Sequence, residues 1–588
     1  MLFPRIQSSR TYLCLLLTFF LLAGSFGQNP VTTAKISPTY QQGLKAWEAG
    51  DLNTARSLFE AEVKKNPKNP DAQNALGQVL LGQGHLDSAI SHLRAVTRLR
   101  PNLAVAHVYL GEALAQKSLW NESIAELRTA VRLAPARPEP HEALARALSG
   151  NRQLEDAITE MRKAIALSPN QPELHDELGS LLAQKKEYSF AEAEFRTAID
   201  QDPQYEPALL HLGVVQVSED KRAEAKQSLE TAISLNSEDG MAHYYLGDIL
   251  EKEQNPPAAL AQYRSATKLS PNFVPAQTRL GILSQRAGDT ETAISSFRIV
   301  VARAPDNPDA HNNLGLALLQ AGEVQDAIAS FRQAIALAPK DSDYGNNLGA
   351  AYLQKADFDS AIQQYKEGIA MAPENAELHY NLGLAYKLKD DLPAAILELN
   401  RTIELDPKLP DPHYTLGVVL WQSGKFPEAA KELNQVVALK PDYAEAYYTL
   451  GTVYKQSDDL PRAAEALRKA IQLQPDFAGA HTTLAAVLRQ QGDTEGASAE
   501  SKLAAQITER SMTLQNAVFS TNSGIKLMNA GDLDGAISQF EAAIRAESSF
   551  APAHRQLAAA LMRKGDKQGA GRELAIFEQL QHRKPVVQ

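Results

Sequence analysis

Apolar residues recur along this chain at three- and four-residue spacing, in blocks of about thirteen residues broken by short polar turns. The stretch HNNLGLALLQAGEVQDAIASF, residues 311 to 331, shows the pattern: one apolar face, a break at Ala321-Gly322, then a second apolar face. That period belongs to helices rather than strands, and the short break predicts that the two helices run antiparallel. Nearly the whole chain repeats the arrangement. The pair Leu-Gly or Leu-Ala returns every 34 residues, from Leu76-Gly77 and Leu110-Gly111 to Leu450-Gly451 and Leu484-Ala485. Residues 36–511 divide into fourteen such repeats with no insertion or deletion.

Each position within the repeat has a physical reading. Position 8 is Gly in twelve of fourteen copies and Ala in the others (Ala145, Ala485), and position 20 is Ala in all but one, Ser123. Small residues at both places let two helix backbones approach, so Gly315 is expected to face Ala327 across the crossing. Position 24 is large and apolar in thirteen copies, with Ser501 the exception, and is expected to fill the space between hairpins. Position 32 is Pro in twelve copies and stops the second helix. Pairs such as Gly50-Asp51, Gly288-Asp289 and Gly492-Asp493 supply a residue tolerant of left-handed backbone and then a cap for the next helix. After Ser511 the register slips by five residues (512–516); two further repeats follow over 517–581 with a polar, capping finish, and 582–588 form a tail. Ser501 and Glu509, replacing the large residue and the proline, predict that the second helix of repeat 14 runs on and that the array bends there.

This pattern resembles the tetratricopeptide repeat (TPR) family over roughly residues 36 to 581. The fold class expected is all-α, an α-solenoid of stacked antiparallel helix pairs. The resemblance implies a right-handed superhelix whose concave face is lined by the first helix of every repeat, with stability coming from neighbour interfaces.

Polar residues on the first helices are the candidates for contact with something else. Position 6 holds Asn313, Asn347 and Asn381, then Thr415, Thr449 and Thr483; Asn312 and Asn346 precede two of the asparagines. Asparagine is a mediocre helix former, costing up to about 0.7 kcal/mol against alanine, so a cluster of them carries a local penalty. Its carboxamide both donates and accepts, matching a peptide group. The row also resembles the TPR arm of O-linked N-acetylglucosamine transferases, where asparagines at the matching position form a ladder that holds an extended peptide backbone. The three asparagines match that motif and the three threonines depart from it. Beside them, position 5 carries Tyr380, Tyr414 and Tyr448, side chains with broad apolar area and a polar tip. Partner contact and an ordinary solvated or packed surface both account for these residues.

Nine of the thirteen histidines sit at position 4, including His107, His141, His413 and His481. Equivalent residues in successive hairpins lie on the order of 10 Å apart, too far to share a metal whose ligands must be about 2 Å away. They read as partly buried spacers between hairpins. No cofactor is implied, and no GxSxG, phosphate loop or HExxH stands in context, so an enzyme is not expected.

Composition narrows the partner class. With 59 Lys plus Arg against 70 Asp plus Glu, interspersed, no basic stripe exists for nucleic acid. Residues 1–27 read as a secretory signal peptide: Arg5 and Arg10, an apolar run from Tyr12 to about Ala23, and small residues before Gln28, with 28–35 as a linker. An uncleaved membrane anchor is the alternative, disfavoured by a run shorter than the ~20 residues of a spanning helix. The only cysteine, Cys14, lies inside that segment, so a processed chain has no thiol. The function that follows is an exported, periplasmic or secreted scaffold for protein or peptide partners. An architectural role through self-association or a cell-envelope complex is the alternative, and the recognition arm of a glycosyltransferase system a more remote one.

Overall fold

The computed structural model describes residues 37–582; the signal segment, the 28–35 linker and residues 583–588 lie outside the described residues. Among the described residues the only regular elements are helices, running from Pro38–Glu48 to Lys567–His582, paired as antiparallel hairpins. No helix among them is long and apolar enough to cross a membrane. The chain forms two compact blocks, divided between Pro305 and Asp306. Within each block, the first helix of a repeat lies against the second helix of the repeat before it, which gives an α-solenoid.

One repeat shows why the sequence folds this way. Asn307 caps Pro308–Gln320, its side chain accepting from the Asp309 amide, with proline at the start where no amide is needed. The helix ends at Gly322, whose φ of +82° reverses the chain. Val324–Leu337 then returns antiparallel. The same turn position has positive φ in all fourteen copies, and eight of them use a residue other than glycine, such as Ser118, Arg152 and Ala356. Several following positions are aspartates that cap the second helix: Asp51, Asp289, Asp357, Asp391, Asp459 and Asp493 each accept an amide two or three residues into it. A cap of this kind contributes about 1 kcal/mol.

The core extends one expectation. A Cβ on Gly315 would meet the ring of Phe331 first, 2.6 Å from Cε1, so the large residue at position 24 packs inside its own hairpin as well as between hairpins, where Phe195 lies 5.6 Å from the His211 ring of the next repeat. The same holds for Gly111 under Leu127, Gly179 under Phe195 and Gly349 under Tyr365. Position 20 sits beside this contact, its carbonyl within 3.2–3.6 Å in leucine-bearing repeats (Ala89, Ala225, Ala463). Where position 20 is Ser123, the hydroxyl donates to the Gly111 carbonyl at 2.7 Å, so the exception is satisfied.

The position-4 histidines do more than space the hairpins. His141 Nδ1 pairs with Glu160 of its own second helix at 2.6 Å, and Nε2 donates to the Pro135 carbonyl of the preceding repeat at 3.2 Å. His107, His175, His379, His413, His481 and His554 repeat both contacts, each with a glutamate nineteen residues on and a carbonyl six residues back. The Glu126 hydrogen bond raises the His107 pKa. Gln73 fills the same place, donating to Pro67 and meeting His92 across the hairpin. These side chains stitch successive repeats together.

At repeat 14 the second helix does run on, as the loss of proline predicts. It continues through 512–516 into the first helix of the next repeat, giving one 36-residue helix, Thr494–Asn529, with no turn at the inserted residues. In the final helix Leu574 and Ile576 are exposed.

Candidate functional site

In the C-terminal block the predicted contact residues stand on consecutive first helices: Pro308–Gln320, Ser342–Gln354, Ala376–Leu388, Pro410–Gln422, Ala444–Gln456 and Ala478–Gln490. All five asparagines are half-buried. They join on a diagonal. Asn347 Nδ2 donates to Asn312 Oδ1 and Asn381 Nδ2 to Asn346 Oδ1, both at 2.9 Å, so position 6 of one repeat meets position 5 of the one before. Asn346 also donates to Glu377 of the next helix at 2.9 Å. The run is therefore a set of amide pairs spanning repeats.

The diagonal continues with different chemistry. The Tyr380 hydroxyl lies 3.3 Å from Thr415 Oγ1, and that of Tyr414 lies 3.4 Å from Thr449 Oγ1. Thr415 and Thr449 are buried beneath those tyrosines, and Thr449 also donates to the Glu445 carbonyl. The surface offered there is the phenol, not the threonine; Thr483 alone of the three is half-buried. Tyr414 and Tyr448 are held by aromatic residues that close their own repeats: Tyr443 at 5.2 Å between ring centroids and Phe477 at 4.8 Å. Such pairs contribute about 0.5–1.5 kcal/mol beyond burial, which favours the ring positions seen here. Lys440 Nζ stands 4.6 Å from the Tyr443 centroid, adding a cation at the edge.

The sequence reading passed over the same face of the N-terminal block. There the diagonal slot is charged: Asp176 Oδ1 pairs with His211 Nδ1 at 2.7 Å. One repeat earlier, Arg146 bridges Glu142 and Glu177, with Nε 2.9–3.0 Å from both Glu177 oxygens. Burial pushes the Glu142 carboxyl up to about 7 against the pull of Arg146, and raises Glu112 beside it. His211 is raised although burial, the largest single influence, opposes its charge, because Asp176, Glu206 and Asp239 together outweigh it. Glu206 is pushed up to about 7 by burial and then by Asp239. The available signal was the occupancy of positions 5 and 6 by charged residues, one repeat apart. Among the described residues no group of three or more His, Cys, Asp or Glu is placed to hold a metal.

The repeats, their helical pairing and the glycine-on-ring core define a class, and comparison with known proteins agrees. A family model described as tetratricopeptide repeat matches residues 40–104, 75–138, 142–206, 211–272 and 522–575. A second, described as the cilia and flagella-associated protein 70 C-terminal domain, matches residues 277–519. The chain belongs to the tetratricopeptide repeat family. Among solved structures it is similar to the APC/C hetero-tetramer Cut9-Hcn1 (15% identity over 93% of this chain and 99% of that one, TM-score 0.37). It is also similar to MamA (30% identity, 28% of this chain and 96% of that one, TM-score 0.28). A third is YrrB, described as a TPR protein with an unusual peptide-binding site (27% identity, 30% of this chain and 92% of that one, TM-score 0.28). No curated protein sequence matches the chain.

Proposed function

We propose that this chain is an exported, non-catalytic scaffold that holds extended segments of partner proteins along the first-helix face of its C-terminal block, between about residues 309 and 490. The observation that carries the reading is the pair of amide bridges Asn312–Asn347 and Asn346–Asn381. A carboxamide has two donor hydrogens and two acceptor lone pairs. These bonds, including that of Asn346 to Glu377, leave each paired asparagine a donor hydrogen or a lone pair to serve a peptide group while the bridge fixes its orientation. Repeats about 10 Å apart match three residues of extended chain at about 3.3 Å each, so a guest backbone meets one amide pair per three residues. Asn313 opens the row, and Tyr380, Tyr414 and Tyr448 close it with apolar area for guest side chains. Export rests on residues 1–27, with cleavage before Gln28. A self-associating, architectural role is supported by a separate feature, the exposed stripe that ends in Phe519 on the long helix.

Crosslinking and mass spectrometry in the native envelope, with a photoreactive residue at Tyr380, test the reading. Linear peptides or unstructured partner segments are the expected crosslinks, and their capture should fall at least tenfold when Asn313, Asn347 and Asn381 are all replaced by alanine. Capture unchanged by that substitution removes the amide row as the recognition element. Recovery of the chain from the cytosol with residues 1–27 intact removes export.

A further inference from the structure

The 36-residue helix Thr494–Asn529 pulls one repeat interface open. Position 3 of the first helix is buried in repeats 2 to 14, for example Leu174, Leu378 and Ala446, because the preceding second helix covers it. In repeat 15 that position is Phe519, and it is 75% exposed. Its missing cover is the second helix of repeat 14, which lies in line with it instead of beside it. The other half of the same interface is open too. Ser501 occupies the position that holds a buried large residue in the thirteen earlier repeats, and it is exposed. Around it lies a cleft of about 550 Å³ lined by Thr482, Ser501, Ala504, Ala505, Thr508 and Met512. The sizes are inverted: the side that normally supplies bulk has a serine, and the side that is alanine in eight of the thirteen repeats 2 to 14 has a phenylalanine.

Both halves lie on one stripe. Ser501, Ala505, Thr508, Met512, Gln515 and Phe519 are all exposed and follow at intervals of four, three, four, three and four residues, the spacing of a coiled-coil seam. The first three are small and the last three large. We infer that this stripe is a twofold interface between two copies of the chain, with the long helices crossing antiparallel about Arg510. That crossing sets Ser501 opposite the second copy's Phe519, Ala505 opposite its Gln515, and Thr508 opposite its Met512, so every layer joins a small residue to a large one. A twofold contact requires such self-complementarity, because each residue pair occurs twice. Each Phe519 enters the cleft beside the other copy's Ser501 and supplies the bulk that this repeat lacks. The interface remade between the copies is the repeat interface that helix fusion opened within each. The two Glu509 carboxylates come near the axis and oppose the association.

The test uses the full chain with Cys14 replaced by serine and single cysteines introduced. Residues 501 and 519 are about 27 Å apart along one helix (18 residues at 1.5 Å), beyond the reach of a disulfide. Chains carrying Ser501→Cys mixed with chains carrying Phe519→Cys should oxidise to a crosslinked dimer, while Ser501→Cys alone should not. Light scattering should give a dimer for the unmodified chain, a monomer for Phe519→Asp and for Ser501→Trp, and several-fold tighter association for Glu509→Gln. A monomeric full chain overturns the inference, as does mixed crosslinking no faster than that of Ser501→Cys alone. A partner of different sequence that competes for the stripe and leaves the chain monomeric assigns the face to that partner instead.

Discussion

Replacing Gly315 by alanine places a methyl 2.6 Å from Phe331 Cε1 and 2.7 Å from Cδ1, closer than side-chain carbons approach, so the ring must move. Overpacking of this kind costs about 1–3 kcal/mol. Alanine recovers up to about 1 kcal/mol of helix propensity over glycine, which leaves a net loss of about 1 kcal/mol. Phe331→Met alone opens a partial cavity and costs about 1–2 kcal/mol. If the methyl strikes the ring, the two changes compensate, and the double substitution should recover at least about 1 kcal/mol relative to the sum of the singles. The chain already contains such compensated pairs: where position 8 is Ala145, position 24 is the flexible Met161, and where it is Ala485, position 24 is Ser501. A repeat array opens locally, so the appropriate assay is hydrogen exchange over residues 308–337 in the full chain, where 1.4 kcal/mol appears as a tenfold change in protection. Gly315→Ala should lower protection several-fold in both helices, and adding Phe331→Met should restore most of it. Strictly additive losses refute the reasoning, because they show that the glycine is not there to admit the ring.

Ala356 holds a φ of +61°, which costs an L-residue about 1–2 kcal/mol. Ala356→Gly removes that strain against an unfolded-state cost of about 0.4–1 kcal/mol and should raise the local stability of residues 342–371 by roughly 0.5–1 kcal/mol in exchange; a lower protection would contradict it. Burial, followed by Asp239, raises Glu206 to about 7. Its contribution is therefore complete below the unfolded value near 4.5 and lost as pH rises through 7. The N-terminal block should melt lower at about pH 8 than at about pH 5, and Glu206→Gln should remove on the order of 1 kcal/mol of that difference; an unchanged pH slope argues against it. His413→Gln should be tolerated, since Gln277 makes the matching bond to Pro271 at 2.9 Å. His413→Leu strands the Pro407 carbonyl and Glu432 and should cost about 1–3 kcal/mol, read as faster exchange in both adjoining repeats.

The repeat length, the helix pairing and the turn were legible in the sequence because each depends on neighbours within about twenty residues, and the chain states them fourteen times. Gly50, Gly288 and Gly492 announce the reversal, and Asp51, Asp289 and Asp493 the cap. The partner of the large residue within its own hairpin was not legible. A spacing places Phe331 on an apolar face, but its close contact with Gly315 depends on a crossing geometry that spacing does not contain. The glutamates that meet the histidines were visible as a nineteen-residue correlation, yet they sit on the opposite helix of the hairpin. The diagonal pairing was hidden for another reason: it joins residues 35 apart, one more than the period, so columns of equivalent positions never show it. That offset also explains Thr415 and Thr449, which align with the asparagines but lie under the tyrosines of the preceding repeat.

The diagonal slot shows how one scaffold can vary its surface without disturbing its core. Positions 8, 20 and 24 admit few substitutions, because a methyl added at Gly315 already collides with its neighbour. Positions 5 and 6 face one another across repeats and require only that the two groups satisfy each other. Aspartate with imidazole, amide with amide, and phenol with hydroxyl all do so, at 2.7, 2.9 and 3.3 Å. Each pair presents different residual chemistry: charge around Asp176 and His211, neutral donors and acceptors along the asparagines, and ring edges at Tyr380 and Tyr414. The surface chemistry therefore changes from repeat to repeat while the 35-residue offset of the pairs stays fixed. Exchanging the Asn346–Asn381 pair for an aspartate–histidine pair should leave packing intact and shift capture toward basic peptides. Loss of the fold on that exchange would show that the slot is part of the core after all.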